Sequence, residues 1–182
     1  MARDPSLNRF VVVAPPRSGT GYLSTLLNRC GIPCGHEDVF TPHVAVGARP
    51  RWQSWQGDVS WLAVLRLDDI DVPVFHQTRD AEHTVASLIR TGLFDRPIRS
   101  GPLMPYQRAI LTAAPMLFDD HATRWDRADA TRREWNHRAA LHAKNHWHVE
   151  RITVDLLGDV FGVRSDQARR ALDETPKNVN TR

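Results

Sequence analysis

Apolar positions recur along the chain in blocks that alternate between two periods. Arg9 to Ala14 carries the unbroken run Phe10-Val11-Val12-Val13, the signature of a strand buried on both faces, and a loop of small residues follows it. From Gly21 to Cys30 the pattern changes: Leu23, Leu26, Leu27 and Cys30 fall at i, i+3, i+4 and i+7, one stripe of a helix that Gly31-Ile32-Pro33 brings to an end. Gly35 to about Pro42 reads as a loop with room for a short strand, and Pro50 to Asp58 as polar, Trp-containing and irregular. Ser60 to Leu67 reads as a short helix with Trp61, Val64 and Leu65 on one face. Val72 to Asp80 predicts a second buried strand, ending in a charged pair, and Val85, Leu88, Ile89 and Leu93 mark the inner face of the helix after it.

The second half is more polar. A Pro- and Gly-marked loop covers Asp95 to Pro105, and Tyr106 to Phe118 predicts a helix with a kink at Pro115. His121 to His148, with Trp125, Trp135 and Trp147 among many Arg and Ala, predicts one or two long amphipathic helices. Arg151 to Leu157 reads as a late strand, and Ser165 as the cap of a short helix carrying Ala168, Ala171 and Leu172. Strands alternating with helices predict an α/β fold, a parallel β-sheet flanked by helices, with ligands at the carboxyl ends of the strands.

Composition narrows this picture only a little. At 182 residues, with 41% hydrophobic and 25% charged side chains, the chain suits one well-buried domain over residues 1–182. The net charge of +3 favours an anionic ligand mildly, and the basic residues are interleaved with Asp and Glu rather than clustered, which argues against nucleic acid. No apolar run reaches the ~20 residues of a membrane span, and Met1-Ala2-Arg3-Asp4-Pro5 lacks a signal region, so a soluble cytoplasmic protein is expected. No metal site is expected. Cys30, Cys34 and His36 lack a fourth ligand, and His142 with His146, though spaced i, i+4 among the histidines that include His137 and His148, lacks a Glu-x-x-His frame.

The chemistry concentrates after the first strand. Ser18, Gly19, Thr20 and Gly21 have little side chain to obstruct an anion, so their N–H groups and the positive end of the next helix dipole can face one, with Tyr22 continuing the turn. Arg17 adds a forked cation. A standard P-loop ends in Gly-Lys-Ser/Thr; here Ala14 replaces its first Gly and Thr20 its Lys. Pro16-Arg17-Ser18-Gly19-Thr20 instead resembles the 5′-phosphosulfate loop of sulfotransferases, which use 3′-phosphoadenosine-5′-phosphosulfate (PAPS) on a fold related to P-loop kinases. A second segment strengthens the resemblance, because that family ends a strand in Arg-Asp and places a Ser eight residues after the Arg, both on the cofactor's 3′-phosphate. Arg79-Asp80 and Ser87 stand in that relation here.

The resemblance implies a P-loop NTPase-like sulfotransferase fold of the bacterial type, with Arg17, Ser18, Gly19, Thr20, Gly21, Tyr22, Arg79 and Ser87 binding PAPS and adenosine 3′,5′-bisphosphate as the product. Arg17 would also stabilise charge on the bridging oxygen. Members of several groups of the family place a catalytic Glu just after the first helix, which Glu37 matches; His36 beside it has the more suitable ordinary pKa, and His76 is a more distant choice. Three departures stand out: Gly21 where many relatives have a second Thr, no Arg-Lys-Gly tripeptide near the C-terminus, where the tail reads first as exposed and disordered and Lys177 or Arg182 is the alternative substitute, and a short chain. Ser60-Trp61 lies where bacterial relatives often carry a cleft-lining Ser-Trp pair, but it reads first as a helix cap with a core Trp. Trp52, Trp55 and Trp61 suit either an acceptor site or a core under a loop. The acceptor, a small molecule or glycan hydroxyl or an amine, stays open. The rival readings are a nucleotide or nucleoside kinase, which needs a loop Lys that is missing and a Mg²⁺-binding acid that Asp80 would supply, and a nucleotide-binding protein without catalysis.

Overall fold

Val11, Val12 and Val13 are completely buried, as a run apolar on both sides must be, and they sit in the middle of a sheet. The computed structural model describes residues 9–91, 110 and 122–176. Five strands, β1 (Phe10–Val13), β2 (Cys34–His36), β3 (Gly57–Val59), β4 (Val74–Thr78) and β5 (His146–His148), form one parallel sheet in the order β2-β3-β1-β4-β5. The chain leaves β1 for one edge, returns through β3 and crosses to β4 on the other side. The order therefore reverses at β1, and the crevice outside the carboxyl ends of β1 and β4 is where an open α/β sheet takes its ligand.

The strand alternation feeds two cores. Val11, Val13 and Val74 face one layer, built from α3 (Ala81–Thr91), α4 (Arg124–His142) and the 3₁₀ segment Leu62–Asp69, with Leu88, Trp135 and Ala139 completing it. Phe10, Val12 and Phe75 face the other, where α1 (Thr20–Arg29), α5 (Val154–Phe161) and α6 (Ser165–Glu174) contribute Leu23, Leu27, Leu157 and Ala171. The stripe read on α1 is buried throughout, and Gly31, at φ 73°, ends it in a Schellman motif: Ile32 N–H reaches the Leu27 carbonyl at 3.0 Å and Gly31 N–H that of Asn28 at 2.9 Å. No helix among the described residues is long and apolar enough to cross a membrane.

Several elements differ from the sequence expectation. The irregular stretch before Asp58 ends in β3, hidden from pattern reading because it is three residues long with a buried acid at its centre. Gly57 is there because a Cβ would lie 2.2 Å from the Phe10 ring. The stretch read as one or two long helices holds one, α4, opened by a Thr123–Asp126 capping box and ended at His142, and His146–His148 are strand β5, so His142 and His146 do not share a helix face. The stretch read as a late strand is instead a 3₁₀ turn, Val149–Arg151, leading into α5, which Thr153 caps through the Leu156 amide. Ser165 is the first residue of α6 and not its cap, which is Arg164. A four-residue helix, α2 (Pro42–Ala45), follows β2. The helix read over Tyr106–Phe118 lies outside the described residues except for Ile110, which is helical and buried, and so do the Asp95–Pro105 loop, Leu93, Lys177 and Arg182.

Candidate functional site

The loop from Pro15 to Gly19 is held by three ties. Ser18 N–H donates to the Pro15 carbonyl at 3.2 Å, turning the chain sharply. Gln77, completely buried on β4, donates from Nε2 to the Ser18 carbonyl at 2.7 Å and accepts at Oε1 from the Trp147 indole N–H of β5 at 3.2 Å. Arg79, at the end of β4, donates from Nη1 to the Arg17 carbonyl at 3.1 Å. These ties support left-handed backbone at Arg17 (φ 71°) and Gly19 (φ 80°), the first costing about 1 kcal/mol or more for a residue with a Cβ. Gly19 allows the turn and also the close approach of Val149, whose Cγ2 would lie 2.9 Å from a Cβ there.

α1 begins immediately after, at Thr20, with no side chain capping it. Its first-turn amides have no acceptor within the helix, and they carry the positive end of its dipole. Ser18 is completely buried and its Oγ lacks a hydrogen-bond partner among the described residues. A buried, unpaired hydroxyl costs about 1–3 kcal/mol, and an oxyanion in the loop is a partner of the right chemistry. Tyr22 sits differently from the rest of the predicted set, with its ring in the core beside Leu23 and Leu26, which leaves its backbone amide as its contribution to the loop.

Arg17, Arg79 and Ser87, from the two sequence segments, come together here. Arg17 Nε donates to Ser87 Oγ on α3 at 3.1 Å, and Arg79 Nε stands 3.7 Å from the Glu150 carboxylate on the turn after β5. Glu150 also accepts the Asp80 amide at 3.3 Å.

Beside this loop, at the end of β2, lies an acid–base group. Thr20 Oγ1 and His36 Nε2 share a hydrogen bond at 2.9 Å, and His36 Nε2 is 3.7 Å from Glu37 Oε1. Burial lowers the His36 pKa, against an opposing pull from Asp38, so the ring is neutral near pH 7 and its approach to Glu37 is not an ion pair. Glu37 has left-handed backbone (φ 64°), and burial, helped by the Asp58 and Asp38 carboxylates, pushes its pKa up to about 7 while a hydrogen bond from the Trp61 side chain works the other way. A half-buried carboxyl that titrates near neutrality is suited to general acid–base work. His76 is buried on β4, where its ring shares a hydrogen bond with Asn136 of α4 at 2.9 Å.

The chain matches no protein-family model, no curated protein and no solved structure. Among the described residues, no group of three or more His, Cys, Asp or Glu side chains is arranged to hold a metal ion. Sequence reading missed Gln77 and Asp58. The available signal was the same for both, a polar side chain inside a strand that must be buried, where it has to find partners. Ser60 is not the helix cap, which is Trp61; its Oγ accepts Leu62 N–H at 3.1 Å and donates to the Phe40 carbonyl at 3.1 Å, whereas Trp61 turns its side chain to Glu37 and rests its carbonyl on the Trp135 indole N–H at 2.9 Å.

Proposed function

We propose that this protein is a PAPS-dependent sulfotransferase of P-loop-like fold. The observation that carries the reading is the meeting of Arg17, Arg79 and Ser87 at the switch point of a parallel sheet, around a helix N-terminus and the orphaned Ser18 hydroxyl. Such a place supplies backbone donors, two guanidinium groups and hydroxyls to two anionic groups of one ligand.

Arg17, Ser18, Gly19, Thr20 and the first amides of α1 would hold the 5′-phosphosulfate, and Arg79 with Ser87 the 3′-phosphate. The bound nucleotide supplies an activated sulfuryl group. Glu37 accepts the proton of the acceptor hydroxyl or amine as the new bond to sulfur forms and the bond from sulfur to the bridging oxygen breaks. His36, neutral and joined to Thr20, lines the path between base and loop. Arg17 and the loop amides take up the charge that develops on the bridging oxygen, leaving adenosine 3′,5′-bisphosphate. The positive charge that transfer requires comes from arginine and the helix dipole, so no metal ion is invoked.

Thermal unfolding with adenosine 3′,5′-bisphosphate, with ATP plus Mg²⁺ and with AMP tests the reading. A ligand at about a hundred times its Kd adds about 2.7 kcal/mol, worth several degrees at this size. Stabilisation confined to the bisphosphate is expected; stabilisation by ATP with Mg²⁺ alone would replace this reading with the kinase one.

A further inference from the structure

Asp58 occupies the centre of β3, completely buried, opposite Gly35 on β2 and Val11 on β1. An ionisable group in that position is expensive unless its oxygens are used. They are used by successive backbone amides of the turn that follows β2. Oδ1 accepts Asp38 N–H at 3.2 Å, Oδ2 accepts Phe40 N–H at 2.9 Å, and the Val39 amide donates as well. Gly35 makes the arrangement possible, since a Cβ on it would lie 2.6 Å from Asp58 Oδ1. The turn so gathered starts at Glu37, whose left-handed φ persists only where its surroundings over-determine it.

We infer that Asp58 is the positioning residue of the Glu37 turn: through the amides of residues 38–40 it fixes where the Glu37 carboxylate stands, and it places a buried negative charge behind it. The role rests on Glu37 being the base of the proposed transfer. Its consequence for proton affinity follows from what faces Glu37. His36 on β2 is neutral, Asp38 lies in the turn itself, Asp58 lies on β3, and the Trp61 side chain hydrogen-bonds to Glu37 from the segment before the 3₁₀ helix. After burial, Asp58 contributes most to holding the Glu37 proton, and its own carboxyl is pushed up to about 6, chiefly by burial.

Carboxyl-carbon NMR titration of Glu37 in the wild-type protein and in Asp58→Asn tests this without any substrate. The Glu37 midpoint is expected to fall by about one pH unit in the variant, with the amide signals of residues 38–40 displaced. A merely structural Asp58 would lower stability and leave that midpoint in place, which would overturn the inference. Should the variant fail to fold, the wild-type curve decides: the Glu37 signal is expected to show a second inflection where Asp58 titrates, and a single inflection contradicts the role. Titration of the same wild-type sample with adenosine 3′,5′-bisphosphate separates the two claims. No binding would end the proposed transfer while leaving the titration result intact; binding with an unmoved Glu37 midpoint would end the positioning role alone.

Discussion

Arg17 Nε donates to Ser87 Oγ at 3.1 Å across 70 positions of sequence, joining the loop after β1 to the second turn of α3. The bond orients the guanidinium, so under the proposed function Ser87 has two roles, a strut for Arg17 and a donor to phosphate. Ser87→Ala is expected to cost about 1–2 kcal/mol of stability, the range of a hydrogen bond to a charged donor, and to raise the Kd for adenosine 3′,5′-bisphosphate several-fold. Chemical denaturation and calorimetry on one sample check both; unchanged affinity would reduce Ser87 to the strut alone.

Gly19 is required twice, by φ 80° and by Val149 pressed against it. Gly19→Ala must pay about 1 kcal/mol for the left-handed backbone and displace the Val149 methyl in addition. A loss of about 1–3 kcal/mol in urea unfolding is expected, together with weakened bisphosphate binding, because the amide that follows Ser18 is forced out of line.

As the base of the proposed transfer, Glu37 would link that reaction to pH. Its carboxyl ordinarily titrates at 4.5 and is raised to about 7 in the folded protein, so folding favours the protonated form. The stability this confers is fully present below pH 4.5 and lost as pH rises through about 7. Glu37→Gln removes the penalty, and the variant is expected to be more stable than wild type at pH 8, by on the order of 2 kcal/mol, and nearly equal to it at pH 4.5. Neutral His36 and His76, both lowered by burial, act oppositely in both proteins, losing stability as pH falls below 6.5, and so cancel in the comparison. In sulfuryl transfer the same variant is expected to lose turnover by about a hundredfold or more, with bisphosphate affinity kept. Thermal melts across pH test the first statement, and single-turnover kinetics the second.

The parts of the site that were legible in sequence are those whose residue types admit few other uses. The Phe10–Val13 run can only be buried, the small residues from Ser18 to Gly21 lead into a helix, and Arg79 closes an apolar strand. Legibility failed where three-residue strands carry no period, as in β3 and β5, and where tertiary pairing overrode local pattern, as for His146–His148 at the end of a helical tract. The segment read as a late strand holds α5 instead, capped by Thr153 and ended by left-handed Gly162. Asp58 was beyond pattern reading because its partners are backbone amides of another element, which sequence does not display.

Arg79 bears the central claim, since it is the charged side chain of the second segment that reaches the loop of the first. Calorimetric titration of wild-type protein and Arg79→Ala with adenosine 3′,5′-bisphosphate, with circular dichroism to verify that both are folded, tests it most directly. Saturable binding by the wild type that falls by about tenfold or more in the folded variant is the predicted result, about 1.4 kcal/mol for each factor of ten. A wild-type protein that takes up no bisphosphate, or a folded variant that binds it equally well, would contradict the account.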